Sequence, residues 1–533
     1  RGGGRYEDPV PSSLHAPIVL NGQIMPGEVD KWPLQLRAGQ KLIVAVQARK
    51  LIPYLADAVP GWFQAAVSIK DADGRELAYD DDCGYVPDPA LMFQVPRDGD
   101  YTVEIHDALY RGREDFVYRV DIGDEATMKP LFLLGMRGGV PVASSHPNWS
   151  LCRKLAEDHF KATDTKMPVI DEREPNDTGQ KSMPITLPTV VSGCISAPGD
   201  RDVFSISGQA GDTIVAEVFA RRMGSPVDSL IRMIDTSGRV VAMNDDHPDP
   251  ESGLFTHHAD SYVSAKLPKA GRYFVQVSDA QGHGGTDYRY YLRISAPQPD
   301  FALRVTPSCL NMTAGRATTA TIYAIRKDGW DGDIALSLKD EPGFSIDGAV
   351  MPKGRDHIRI TITPRSVQQT ATLHLQGSAK IDGKTITRSA VPAEDMMQAF
   401  AYHHLVPAQQ LLATVKRGFG ISVTSHMSKG DRLAIPSGGT AQLSFTMRGA
   451  PNLRPKLELS DPPLGVTLQD VREDPRGVTL TLKADNAHAG YADNLIFEVF
   501  SEVNRKGGSG SAAQKQRVSA GFLPAVPFQI IER

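Results

Sequence analysis

Residues 171–204 read DEREPNDTGQKSMPITLPTVVSGCISAPGDRDVF. Glu172, Glu174, Asn176 and Asp177 stand before a short apolar strand, and Asp200 and Asp202 stand after it. The leader Glu172-Arg173-Glu174-Pro175-Asn176-Asp177 is too acidic and too Pro-broken for a helix, since proline pushes its predecessor out of the α region. An extended segment sends alternate side chains to one side. If it folds back beside Asp200 and Asp202, the carboxylates converge, and a cation would relieve their repulsion. Carboxylate and amide oxygens are what Ca²⁺ takes. The other reading is an acidic linker facing water, as charge runs commonly do.

Working outward, the same region is one half of an internal repeat. Ala38-Gly39-Gln40-Lys41-Leu42-Ile43-Val44 answers Ala210-Gly211-Asp212-Thr213-Ile214-Val215-Ala216 at an offset of 210 − 38 = 172. Pro96–Tyr101 answers Pro268–Tyr273, and Asp115–Tyr118 answers Asp287–Tyr290, at the same offset. Between them Asp71–Arg75 meets Asp235–Arg239 at 235 − 71 = 164. Insertions confined to one loop leave the frame of a duplicated domain intact. Tyr101-Thr102-Val103-Glu104-Ile105 and Tyr273-Phe274-Val275-Gln276-Val277 alternate apolar and polar, as half-buried antiparallel strands do. Asp73-Gly74 and Ser237-Gly238 read as hairpin turns.

Glu-x-Glu-Pro-Asn-Asp, a strand closing on Gly193-Cys194-Ile195, and Gly199-Asp200-Arg201-Asp202-Val203-Phe204 together resemble the bacterial pre-peptidase C-terminal domain. That β-sandwich family includes the collagen-binding domains of clostridial collagenases. Leu230–Asp235, Asn244-Asp245-Asp246 and Ala270–Val277 extend the resemblance over about 125 residues. The resemblance implies calcium ligands at Glu172, Glu174, Asn176, Asp177, Asp200 and Asp202. The first copy carries Glu28 and Asp30 at the Asp200 and Asp202 positions, but its leader Tyr6-Glu7-Asp8-Pro9 lacks the full acidic motif. The calcium expectation is therefore confined to the second copy.

The rest of the chain predicts an all-β protein of tandem β-sandwich domains, jelly-roll or immunoglobulin-like, with one short helical linker. The first copy is assigned to 10–124, a linker or reduced module to 125–169, and the second copy to 170–297. Immunoglobulin-like sandwiches follow at 298–392 and 418–533, where short strands alternate with turns. The helical linker is placed at 393–417, since Met397, Phe400, Ala401 and His404 share a helical face before Pro407. Adjacent His403 and His404 would point apart, against a metal there. Leu51–Phe63 is an apolar insertion of the first copy, read as closing the sandwich edge or packing on the next domain, with a partner surface as the alternative. Lys506 to Gln514 reads as a flexible loop.

The 533 residues carry a net charge of −5 with both signs mixed and no basic stripe, which argues against a nucleic-acid partner. No apolar run approaches bilayer length. Arg1 opens without a start methionine or signal peptide, as in a mature form or a fragment. Cys83, Cys152, Cys194 and Cys309 show no CxxC or zinc spacing, and no disulfide is predicted. No nucleophile elbow, His-Glu-x-x-His or Walker loop occurs, so no catalytic residue is assigned. His257-His258-Ala259-Asp260-Ser261 is read as a loop-ordering hydrogen-bond cluster rather than a triad. Two functions remain: a secreted, periplasmic or cell-surface binding or scaffolding protein stabilised by calcium, and the accessory region of a secreted peptidase or other hydrolase. An extracellular protein or polysaccharide is a candidate partner, and the sequence names neither collagen nor any glycan as the ligand.

Overall fold

In the first copy, apolar residues recur at every second position along the strands, and the sheets close over those faces. The computed structural model describes residues 13–49, 51–52, 63–81, 88–124, 167–223, 225–252, 259–366, 368–398, 402–417, 422–425, 427, 430–448, 456–474, 477–485, 487–505 and 514–533. Within the first copy run β1 (Ile18–Gln23), β2 (Asp30–Leu36), β3 (Lys41–Gln47), β4 (Ala65–Asp71), β5 (Glu76–Asp80), β6 (Ala90–Gln94), β7 (Gly99–Asp107) and β8 (Val117–Gly123). They form two four-stranded sheets, β1-β8-β3-β6 and β2-β7-β4-β5. Leu42, Val44 and Val46 of β3 and Val67 and Ile69 of β4 share one core. Each such aliphatic contributes about 1.5–3 kcal/mol when fully buried.

The second copy has β9 (Val169–Asp171), β10 (Met183–Pro184), β11 (Thr189–Cys194), β12 (Arg201–Gly208), β13 (Thr213–Phe219), β14 (Ser229–Asp235), β15 (Val240–Asn244), β16 (Tyr262–Lys266), β17 (Gly271–Asp279) and β18 (Arg289–Ser295). Its sheets run β9-β11-β18-β13-β16 and β10-β12-β17-β14-β15. Without β9 and β10 the strand order matches the first copy. The register matches as well: Gly22 lies opposite Tyr118 and Gly193 opposite Tyr290. The hairpins behind the changed offset are built alike. Asp71 Oδ1 accepts from the amides of Asp73 and Arg75, and Asp235 Oδ1 from those of Ser237 and Arg239. Each is followed at its turn by a glycine of positive φ, Gly74 (78°) or Gly238 (85°).

Two compact units divide the chain: Arg1–Pro297 with Met397–His404, and Gln298–Met396 with Leu405–Arg533. In the second, Asp300–Thr306, Thr318–Lys327 and His357–Pro364 run side by side. They share a core with Cys309–Thr313 and Leu411–Lys416. A second core gathers Phe445, Leu480, Phe497 and Phe528. The two modules of this unit are joined by polar contacts. Asn494, 5% exposed, donates Nδ2 to the carbonyls of Gly348 and Arg359, both at 2.8 Å. A Cβ at Gly348 would fall 2.4 Å from that nitrogen.

The helical linker expected at 393–417 is not a helix. Lys384–Gln398, Tyr402–Pro407 and Leu411–Lys416 are strands. The apolar positions that decide the matter are Leu411, Ala413 and Val415, which alternate into the core; that period of two belongs to a strand. His403 is exposed and His404 buried, as alternation requires. No helix among the described residues is long and apolar enough to cross a membrane. The leader at 6–9, most of the 51–63 insertion, the connector 125–166, His257 and His258, and the loop from Lys506 to residue 513 lie outside the described residues.

Candidate metal centre

The leader does fold back. β9 pairs parallel with β11, and the Glu172 amide continues that pairing onto the Ser192 carbonyl at 3.0 Å. Glu172 Oε1 then accepts the Cys194 amide at 2.7 Å. Two residues on, Glu174 Oε2 accepts the Asn176 amide at 2.8 Å, and the Asn176 carbonyl accepts the Val203 amide at 3.1 Å. These bonds tie the acidic leader to the edge of β11 and to the start of β12, where Asp202 sits.

One oxygen from each of Glu172, Glu174 and Asp202 lies within 4.8 Å of the others. Asp202 is 0% exposed. Its Oδ2 accepts the Tyr290 hydroxyl at 2.7 Å, while its Oδ1 has no hydrogen-bond partner. Asn176 is also 0% exposed, and neither Oδ1 nor Nδ2 finds a partner. Buried polar atoms are rarely left this way, because desolvation without a hydrogen bond is costly.

Of the six expected ligands, the structure brings Glu172, Glu174 and Asp202 together and buries the Asn176 amide close by in sequence. Asp200 has a different job. Its Oδ2 accepts from the Ser196 amide and hydroxyl at 2.7 and 2.8 Å, and its Oδ1 from the Arg201 amide at 2.8 Å. It closes the turn before β12 while adding negative field to Glu172 and Asp202. Asp177 is exposed. Arg173 and Arg201 are exposed as well.

Burial is the first cause that raises the carboxyl pKa of both Glu172 and Asp202 above the usual range; the charges of Glu174 and Asp200 add to it at Glu172, and that of Glu172 adds to it at Asp202. Burial, then Asp202, likewise pushes the Tyr290 hydroxyl far up. That phenol has one proton, and it faces two carboxylates: Glu172 Oε2 lies 3.4 Å away. Three carboxylates and a buried amide oxygen are hard donors, which suit a divalent cation with oxygen ligands. The orphan oxygens of Asp202 and Asn176 fit such an ion.

Tyr290 was legible and was missed. Its counterpart Tyr118 stands in the repeat alignment, and the first copy shows what the residue does without an acidic leader. Tyr118 donates to Asp30 at 2.5 Å and accepts from Trp32 Nε1 at 2.9 Å. That site is satisfied by neutral donors. In the second copy Phe204 stands in place of Trp32 and offers no donor, while Glu172 adds an acceptor. Of the His257–Ser261 cluster, Asp260 accepts from the Ala220 and Arg221 amides at 3.1 and 2.6 Å. Ser261 Oγ lies 2.7 Å from Ser229 Oγ. Both order loops.

No protein-family profile matches the chain. A probable subtilase-type serine protease of Deinococcus radiodurans is 38% identical over 112 residues, which is 20% of this chain and 14% of that protein. The chain thus spans a small part of that relative's length. Among solved structures, domains 5-6 of the S-layer protein SbsC align at 10% identity, covering 44% of this chain and 99% of that one with a TM-score of 0.19. Tandem Ig repeats of Dlar align at 10% identity over 44% and 99%, with a TM-score of 0.16.

Proposed function

We propose that the chain is a non-catalytic binding or scaffolding region of a secreted, periplasmic or cell-surface protein, with its second sandwich stabilised by Ca²⁺. The observation that carries the metal half is the acidic cluster, three carboxylates within 4.8 Å of one another, of which Asp202 is buried, with orphan buried oxygens on Asp202 and Asn176. Glu172, Glu174, Asp202 and Asn176 Oδ1 would hold the ion. It would offset the burial and the repulsion that otherwise raise the carboxyl pKa values, and it would fasten the leader to the sandwich. The acidic leader and the Asp200-Arg201-Asp202 turn favour membership of the pre-peptidase C-terminal family. Calorimetric titration of metal-free protein with Ca²⁺, repeated on Asp202→Asn, tests the reading: binding by the parent and none by the variant is expected. No heat and no change in melting would leave the leader a solvated linker.

The partial identity with a subtilase-type protease favours a second reading, in which this region is the accessory part of a secreted peptidase. The reading frame around Arg1 decides it. A peptidase domain encoded in the same frame supports it, and its lack removes it.

A further inference from the structure

The turns after β7 and β17 are built on the same plan. Asp107 Oδ1 accepts from the Leu109 and Arg111 amides at 3.0 and 3.1 Å. Asp279 Oδ1 accepts from the Gln281 and His283 amides at 3.1 and 2.9 Å. The third residue after that aspartate must take positive φ. In the second copy it is Gly282, at 75°, the residue that adopts this region without penalty. In the first copy it is Tyr110, at 54°. A bulky side chain is disfavoured there, and backbone strain of this kind gathers at functional sites. The fold itself does not ask for tyrosine at this point, because the second copy makes the turn with glycine.

The ring is displayed rather than buried. Tyr110 is 55% exposed and stacks on His106, with centroids 4.7 Å apart and planes at 2°. Tyr79 is 49% exposed. It belongs to a row across the face of the sheet away from the core, Lys31 opposite Glu104, Glu104 opposite Ser68, and Ser68 opposite Tyr79, in which Glu104 and Ser68 are themselves buried beneath their neighbours. Glu104 is held between Lys70 at 2.7 Å and Lys31 at 3.1 Å. Beside it opens a groove of about 380 Å³ lined by Thr102, Asp100 and Asp71 along with these three. In the second copy the same row reads Val203, Gln276, Arg232 and Met243, and His106 is replaced by Ser278.

We infer that the outer face of the first sandwich binds a neutral polysaccharide, with sugar rings lying on Tyr110 and Tyr79 and hydroxyls reaching the Lys31–Glu104–Lys70 triad. Aromatic faces next to a few fixed polar groups are the usual make-up of a ligand site. Charge selects the ligand: the groove carries lysines and carboxylates in near balance, which suits a hydroxyl-rich chain and neither a polyanion nor a polycation. Thr102, Glu104 and His106 point to this face at alternate positions, so the platform runs about 13 Å along the strand. The site deepens the binding half of the proposed function and does not depend on the metal half.

The test is native affinity electrophoresis of the chain through gels holding mannan, laminarin, xyloglucan or amylopectin, with polygalacturonate and gelatin as charged and protein controls. Retardation is expected on at least one neutral gel, unchanged by chelator. Tyr110→Gly, which copies the second sandwich, is expected to keep the melting transition and lose retardation at least tenfold; Tyr79→Ala should weaken it as well. Migration unaffected by all four neutral gels overturns the inference, as does retardation on polygalacturonate or gelatin alone. Equal retardation of the parent and Tyr110→Gly overturns it too. Loss of calcium binding leaves this result unmoved, so the two readings fail separately.

Discussion

Tyr290 donates its single hydroxyl proton to Asp202 at 2.7 Å, in the place where Tyr118 donates to Asp30 at 2.5 Å. The two pairs differ in what else touches the phenol. Tyr118 receives the Trp32 indole N–H, whereas Tyr290 meets the carboxylate of Glu172. One sandwich frame thus holds a single carboxylate closed off by a phenol–indole chain in the first copy and a cluster of carboxylates around the phenol in the second.

Calcium should therefore stabilise the second copy alone. At a concentration a hundredfold above its dissociation constant, the linkage is worth about 2.7 kcal/mol. Glu172→Gln and Asp202→Asn should both abolish the calcium-dependent rise in melting temperature. Limited proteolysis gives a second readout, with cleavage in the 171–178 leader appearing only in chelator. Identical melting with and without calcium would refute the site.

The pH dependence follows from the raised carboxyl pKa values of Glu172 and Asp202. The unfolded chain ionises these groups at about pH 4, while the folded metal-free pair holds its proton to higher pH. The folded state then binds more protons, and its stability falls as pH rises from about 4 through the folded range. Bound calcium keeps both groups ionised and reverses that loss. The calcium-induced shift in melting temperature is expected to grow between about pH 5 and 8; a shift that shrinks over this range would contradict the assignment.

Gly193 is fixed by the site. A Cβ there would lie 2.3 Å from Tyr290 Cζ and 2.8 Å from Glu172 Oε2. Gly193→Ala should displace both, abolish calcium binding and cost about 1–3 kcal/mol from overpacking. In the first copy Gly22→Ala would meet Tyr118 at 2.4 Å and should cost a similar amount with no effect on calcium. Denaturant unfolding with and without the ion separates the two.

Trp32→Phe should destabilise the first copy by about 1 kcal/mol, the net worth of an ordinary hydrogen bond, with some loss of packing as well. It should not make that copy respond to calcium, which would need an acidic neighbour for Asp30 beyond Glu28, whose Oε2 accepts the Met25 amide. A calcium-dependent melting shift in this variant would show that the indole alone excludes the metal.

In the second unit, Asn494→Leu should leave the Gly348 and Arg359 carbonyls unsatisfied, at about 1–3 kcal/mol for each buried group. Hydrogen exchange of the 344–364 and 492–505 segments should speed up together, since the side chain joins them.

The duplicated sandwich and its turns were readable from residue patterns alone. Period-two alternation and turn glycines are local properties that survive in one dimension, and a repeat offset is visible wherever two such stretches are aligned. The helix expected at 393–417 failed for the same reason: a short helical stripe through Met397 and His404 competed with Leu411, Ala413 and Val415, and burial of the latter in the core settled it. Composition supplied the acidic side chains of the candidate metal centre but not their roles. Asp200 and Asp202 are two residues apart and look equivalent in sequence. Only the folded turn gives Asp200 to the Ser196 amide and hydroxyl and sends Asp202 inward to Tyr290. Their partners lie 4 and 88 residues away, and a contact across 88 residues is made by two strands meeting in a sandwich, which alternation along either strand does not specify.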